Sequence, residues 1–161
     1  MRGRVSTVAA AALALVAIVA PSLSSEAFTT PDPTATTAAG NWTRFDPAGL
    51  HSLVSGGHIV FVNVSADWCL ICKVNEIAVL GRRPVSNLLR GASVVAMRAD
   101  WTRPDPSITA YLQSFGRYGV PLDVVYGPGA PNGIALPELL TSGAVKEAFH
   151  RAGGPAREAS R

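Results

Sequence analysis

Two cysteines, Cys69 and Cys72, are the only ones in the chain, and they lie two residues apart in Trp68-Cys69-Leu70-Ile71-Cys72-Lys73. An apolar run, His58-Ile59-Val60-Phe61-Val62-Asn63-Val64, comes just before them. A strand that leads into Cys-x-x-Cys at a helix start makes one thiol a nucleophile. The unpaired N–H groups and the positive dipole end of the helix favour thiolate over thiol. The second cysteine, one turn on, can close a disulfide on the first. Such a short loop removes little chain entropy and adds little stability, so the pair reads as redox chemistry rather than as a staple.

The residues around the pair bear on other chemistries. Haem attachment requires His directly after the second cysteine, where Lys73 stands. Zinc needs two further ligands, and the nearest candidates are His51 on a helix and His58 at a strand start. Transfer of Cu(I) or Zn between the two thiols, as in a metallochaperone, stays open as an alternative. So does a thiol oxidase or isomerase. The residues otherwise imply no metal and no cofactor.

The chain has 161 residues and a net charge of +3. No stripe of Lys and Arg interleaved with aromatics appears, so no nucleic-acid footprint is expected. Arg2 and Arg4 precede an apolar run from Val8 to Ala20, then Pro21 and the small residues up to Ser25-Glu26-Ala27. This is the pattern of a secretory signal peptide over residues 1–27. The run is shorter than the ~20 residues that span a bilayer, and no cysteine follows it closely enough for a lipid anchor. Export would place the thiols where disulfides persist, and a periplasmic location is expected. Residues 28–41, rich in Thr, Ala and Pro, read as a flexible linker, and 153–161 as a disordered tail.

The domain between them, 42–152, alternates helix and strand. Asp46-Pro47 caps a helix through Ser55. A strand over 58–64 follows, apolar enough to be covered on both faces. Helices are expected over 69–80 and 84–89, then a strand over 93–99 and a helix over 105–115. A strand over 122–126, a turn over 127–133, a short edge strand over 134–136 and a closing helix over 142–151 complete the order α-β-α-α-β-α-β-β-α. This is an α/β sandwich around a central mixed β-sheet flanked by helices.

With Ala66-Asp67-Trp68-Cys69 and Cys72-Lys73 at a strand-to-helix junction, and Tyr118-Gly119-Val120-Pro121 before the third strand, the chain resembles the thioredoxin-like family. Glu76 and Ala99-Asp100-Trp101-Thr102 narrow the resemblance to the C-terminal periplasmic domain of DsbD-type disulfide-interchange reductases, including the ScsB-like branch. It runs from about Trp42 to Arg151. The resemblance implies a thioredoxin fold and a thiol:disulfide oxidoreductase, specifically a protein-disulfide reductase. It makes Cys69 the attacking thiol, Cys72 the resolving thiol and Pro121 a cis proline. Trp68, Val120 and Pro121 would form a rim that holds the substrate chain. The implied partners are disulfide-bearing periplasmic proteins and a separate membrane electron donor of DsbD type, acting in trans on a monomer.

One departure bears on mechanism. The buried acid that thioredoxins carry before the motif falls at Asn63, which cannot titrate. Glu76 lies four residues after Cys72 and seven after Cys69, all on one face of a helix. It is the expected proton acceptor for Cys72, and its charge would raise nearby thiol pKa values. With the apolar Leu70-Ile71 between the cysteines, this favours a reductant over a strong oxidant.

Overall fold

Val60, Phe61, Val62 and Val64 are all fully buried, so the strand they form needs apolar cover on both faces. The rest of the domain supplies it. The structure, a computed structural model, describes residues 42–153; the signal-peptide and linker expectations (1–41) and the tail beyond Gly153 lie outside the described residues. In chain order the elements are β1 (Trp42–Arg44), α1 (Pro47–Ser55), β2 (Ile59–Ser65) and α2 (Leu70–Asn75), which a π-helical turn (Glu76–Leu80) continues. Then come α3 (Val85–Leu88), β3 (Val94–Asp100), α4 (Pro106–Ser114), β4 (Leu122–Gly127), β5 (Ala130–Ala135) and α5 (Ser142–Gly153).

The strands form one mixed sheet in the order β1-β3-β2-β4-β5, with β2 at its centre. β2 pairs parallel with β3 and antiparallel with β4. On one face Val60, Val62, Val64 and Val124 pack against Leu50 and Val54 of α1 and Ile108 and Leu112 of α4. On the other, Phe61, Ala96 and Val125 pack against Val79 and Leu80 of the π turn and Val145 and Phe149 of α5. This is the helix-flanked mixed sheet expected from the sequence.

Both Asp-Pro signals start helices as read. Asp46 accepts the Ala48 N–H at 3.0 Å, and Asp105 accepts those of Ser107 at 2.8 Å and Ile108 at 3.0 Å. Three elements differ from expectation. β1 has no counterpart in the sequence reading, because three residues carry no periodicity. It exists through parallel pairing with β3, while Trp42 packs edge-on to Phe61 at 5.9 Å and lies under the Arg98 guanidinium at 4.8 Å.

β5 begins at Ala130, so most of the expected 127–133 turn is strand. An edge strand tolerates Pro131. Gly133 sits at φ +81°, and a Cβ there would come within 2.9 Å of Tyr126 and Val124. A turn-like composition thus serves a bulged edge. The third difference is the 69–80 helix, where the Gly81 N–H bonds the Glu76 carbonyl at 2.8 Å, five residues back. The π turn buries Val79 and Leu80 and leaves Ile77 exposed.

Phe61 touches both Trp42 and Phe149 from the middle of the sheet. Phe61→Ala is expected to destabilise the protein by about 3–5 kcal/mol. Urea unfolding checks this: the midpoint should drop with the slope unchanged.

Candidate redox site

β2 ends at Ser65, and the chain turns through Ala66-Asp67-Trp68 into Cys69, the N-cap of α2. The Cys69 Sγ accepts the backbone N–H of Cys72 at 3.1 Å, so the sulfur fills the capping position that an Asp or Ser oxygen takes elsewhere. The two sulfurs are joined as a disulfide. The turn is held from the end of β3. The Asp67 N–H donates to Thr102 Oγ1 at 2.9 Å, and Trp68 Nε1–H donates to the Thr102 carbonyl at 3.2 Å. Thr102 is fixed in turn by Asp100 Oδ1, which accepts its N–H at 2.8 Å and its hydroxyl at 2.5 Å. The hydroxyl bond is the main reason the Asp100 carboxyl lies below its ordinary pKa. Trp101 ties this segment to α4 through Nε1–H to Thr109 Oγ1 at 3.1 Å. The Ala99–Thr102 segment is therefore the brace of the cysteine loop.

Both cysteines are buried in the disulfide form, Cys69 at 6% and Cys72 at 4% exposure, and pack with Ala66 and Val120. An exposed Cys69 beside a hidden Cys72 is thus not what separates them. What separates them is hydrogen bonding: Cys69 Sγ receives a helix N–H, while Cys72 lies inside the helix. Around the pair the surface is apolar. Trp68 (62% exposed), Leu70 (76%), Ile71, Val74, Ile77 and Tyr118 all face solvent. Asp67 and Lys73 face each other across 3.6 Å, both largely exposed, a pair of small energetic weight.

The Val120–Pro121 peptide is cis, as the resemblance implies. Pro121 is itself buried and Val120 half-buried, so Gly119-Val120 is the part of this segment open to a partner. Among the described residues no group of three or more His, Cys, Asp and Glu side chains is placed to hold a metal ion.

Glu76, the expected proton acceptor for Cys72, is engaged elsewhere. Its Oε1 accepts from Arg98 Nη2 at 2.9 Å in a partly exposed ion pair. Among the described residues no hydrogen bond joins it to Cys72. Asn75, one residue earlier, is pinned on the other side, donating to the Glu138 carbonyl at 2.7 Å and accepting from the Leu140 N–H at 3.0 Å.

The sequence reading missed Asp123. It is 1% exposed and lies directly across from Asn63, whose Nδ2 donates to its Oδ1 at 2.7 Å. Burial pushes its carboxyl up to about 7, against the opposing pull of the Asn63 bond and the Arg98 charge. The signal was present: a lone acid inside the otherwise apolar Leu122-Asp123-Val124-Val125-Tyr126.

A family model described as thioredoxin-like matches residues 41–128. A search of curated proteins found no match. Among solved structures, the oxidised C-terminal domain of Neisseria meningitidis DsbD is similar, with 19% identity and a TM-score of 0.52 over 65% of this chain and 90% of that one. The reduced form of the same domain gives 20% identity and a TM-score of 0.50 over 65% and 91%. A Thermus thermophilus thioredoxin gives 22% identity and a TM-score of 0.49 over 71% and 85%. At 19% and 20% identity the likeness to the DsbD domain is one of fold.

The raised carboxyl of Asp123 has a stability consequence. Its folded pKa of about 7 lies above the ordinary 3.8, so the unfolded chain gives up this proton at lower pH than the folded one. Folding stability is therefore lost as pH rises between those values. Asp123→Asn removes that loss. The variant is expected to gain on the wild type progressively from pH about 4 to about 7, reaching about 4 kcal/mol, and to level off above. Urea unfolding of both proteins across this range checks it.

Proposed function

This chain belongs to the thioredoxin-like family, and on that premise we propose that it is an exported protein-disulfide reductase working through Cys69 and Cys72. The observation that carries the reading is the joined cysteine pair at the start of α2, with the Cys69 sulfur capping the helix beneath an apolar, solvent-facing rim. A helix N–H held on Cys69 Sγ stabilises negative charge there, which gives a nucleophile on reduction. The family and the paired cysteines support thiol-disulfide exchange; the reducing direction is our reading.

The Cys69 thiolate attacks one sulfur of a partner disulfide. A Cys69–partner disulfide forms, and the partner's other sulfur leaves as a thiolate. Cys72 then attacks Cys69 Sγ, which closes Cys69–Cys72 and releases the second partner sulfur. Two electrons have passed from the dithiol to the partner. Trp68, Leu70 and Val120 offer an apolar surface to the partner chain, and the open backbone of Gly119-Val120 lies in the same segment as the buried cis Pro121. Apolar contact at this rim suits many partners, since it does not depend on a matched charge.

We take the donor that restores the dithiol to be a separate membrane protein of DsbD type, and the protein to act as a monomer in the periplasm. The basic start, apolar run and small-residue site over 1–27 support export, and the fold likeness to the DsbD domain supports the choice of donor. The mature protein recovered from the periplasmic fraction should begin at Phe28.

On the cysteine helix the Glu76 charge is neutralised by Arg98 and the Lys73 charge faces Asp67, while Leu70-Ile71 between the cysteines brings no cation. Equilibration with glutathione should therefore give a potential near thioredoxin's roughly −270 mV. A value near DsbA's roughly −120 mV would overturn the reducing direction in favour of an oxidase. In parallel, Cys72→Ser is expected to accumulate a mixed disulfide with partner proteins, while Cys69→Ser accumulates none. Non-reducing electrophoresis followed by mass mapping reads this out. Partner capture by the Cys69→Ser variant in place of the Cys72→Ser variant would reverse the assigned roles.

A further inference from the structure

Asn63 stands three residues before Ala66, and Asp123 three residues after Val120; Ala66 and Val120 both pack on the cysteine pair. At a strand rise of about 3.3 Å per residue, the Asn63–Asp123 pair lies roughly 10 Å down the sheet from that cluster. It also lies on the correct face. Phe61 pairs with Val125, and both belong to the core under the π turn and α5; residues 63 and 123, two positions along, point the same way. That is the face covered by the helix that carries Cys72.

The polar groups at this place are few. Asp123 Oδ1 is met by Asn63 Nδ2, but the buried Oδ2 has no hydrogen-bond partner among the described residues. Arg98, beside Asn63 on β3, is the facing cation; its Nη2 is held by Glu76 of the π turn, and its buried Nε also lacks a partner among the described residues. α2 contributes neutral Asn75, and the buried residues of α5 are Val145, Ala148, Phe149 and Ala152, none of which titrates. On the opposite face of the sheet the hydroxyls of Tyr111 and Tyr126 bond each other at 2.8 Å. Tyr111 is raised mainly by burial, with the Asp123 charge as a lesser cause.

An asparagine at 123 would make the same bond to Asn63 without the desolvation cost of a carboxylate. The acid is therefore not explained by holding the strands together. We propose that Asp123 is the proton-exchange group for Cys72, standing one strand over from Asn63 and acting on the thiol by way of water. This rests on the thiol-exchange reading above. In the resolving step the Cys72 S–H bond breaks and its proton passes to the Asp123 carboxylate. The freed electron pair forms the Cys69–Cys72 bond, and the Cys69–partner bond breaks with its pair on the departing partner thiolate. Asp123 then gives the proton to that thiolate or to solvent. When the pair is reduced again, Asp123, reprotonated from solvent, returns a proton to Cys72. A carboxyl titrating near neutral pH suits this exchange in both directions.

The test uses the full chain and a chromogenic aromatic disulfide, whose two thiolates are released separately: the first on attack by Cys69, the second on closure by Cys72. In the wild type, the rate of the second release is expected to inflect at pH about 7. In Asp123→Asn the inflection should vanish and the second release slow about 10²-fold at neutral pH, with the first far less affected. An identical profile in the variant overturns the proposal. So does loss of the inflection in Glu76→Gln while Asp123→Asn retains it. A second measurement needs no variant: carbon NMR of the labelled Asp123 carboxyl in the wild type. Its midpoint should lie higher in the dithiol than in the disulfide form, because thiolate and carboxylate charges oppose each other. Equal midpoints overturn the proposal. A wild type that releases neither thiolate refutes the exchange reading, and the carboxyl titration still decides the placement of Asp123.

Discussion

The pairing of β2 with its two neighbours is the constraint on which the site depends. Ser65 at the end of β2 is level with Asp100 on β3, and Val64 is level with Leu122 on β4. That register brings three chain segments to one edge of the sheet: the cysteine turn after β2, Asp100-Trp101-Thr102 after β3 and Gly119-Val120-Pro121 before β4. A slip of one residue would turn every side chain of β2 to the opposite face. Asn63 would leave Asp123, and the valines would leave the α1 and α4 layer. The apolar content of β2 makes that slip costly, so the core fixes the site's geometry.

Given that register, the turn that carries Cys69 needs little strength of its own. Thr102 bonds it twice, and Asp100 holds Thr102 twice. These are short polar links at an exposed edge, each of modest net energy, and their value lies in orientation. They keep Cys69 at the cap position, where the Cys72 N–H reaches its sulfur, and leave Trp68 facing outward. The result is an apolar, exposed rim held rigidly beside the buried disulfide.

Charge is arranged differently on the two sides of the helix. Glu76 and Arg98 neutralise each other in a partly exposed pair, whereas Asp123 is buried with one bond and one idle oxygen. The second arrangement costs stability whenever the carboxyl is ionised. A protein that keeps the second kind of group beneath reactive thiols holds a proton store near them, and accepts lower stability at neutral pH.

The sequence by itself determined the cysteine pair, its place at a strand-to-helix junction, the two Asp-Pro helix starts and the apolar centre of the sheet. These are local signals: a cap is read within four residues, and burial on both faces is written in an unbroken apolar run. Tertiary structure alone decided β1, the length of β5, the π turn and the partners of Glu76 and Asp123. β1 is too short to show a period, and β5 hides behind turn-forming residues that an edge bulge accommodates. The spacing Cys69, Cys72, Glu76 is helical, but Arg98, 22 residues further on in the chain, takes the Glu76 carboxylate in an ion pair that no local spacing shows. Asn63 and Asp123 are 60 residues apart in the chain, and only the antiparallel pairing of β2 with β4 places the amide against the acid. A carboxyl's surroundings, unlike its identity, are made by residues distant in sequence, and so its proton affinity is a property of the fold.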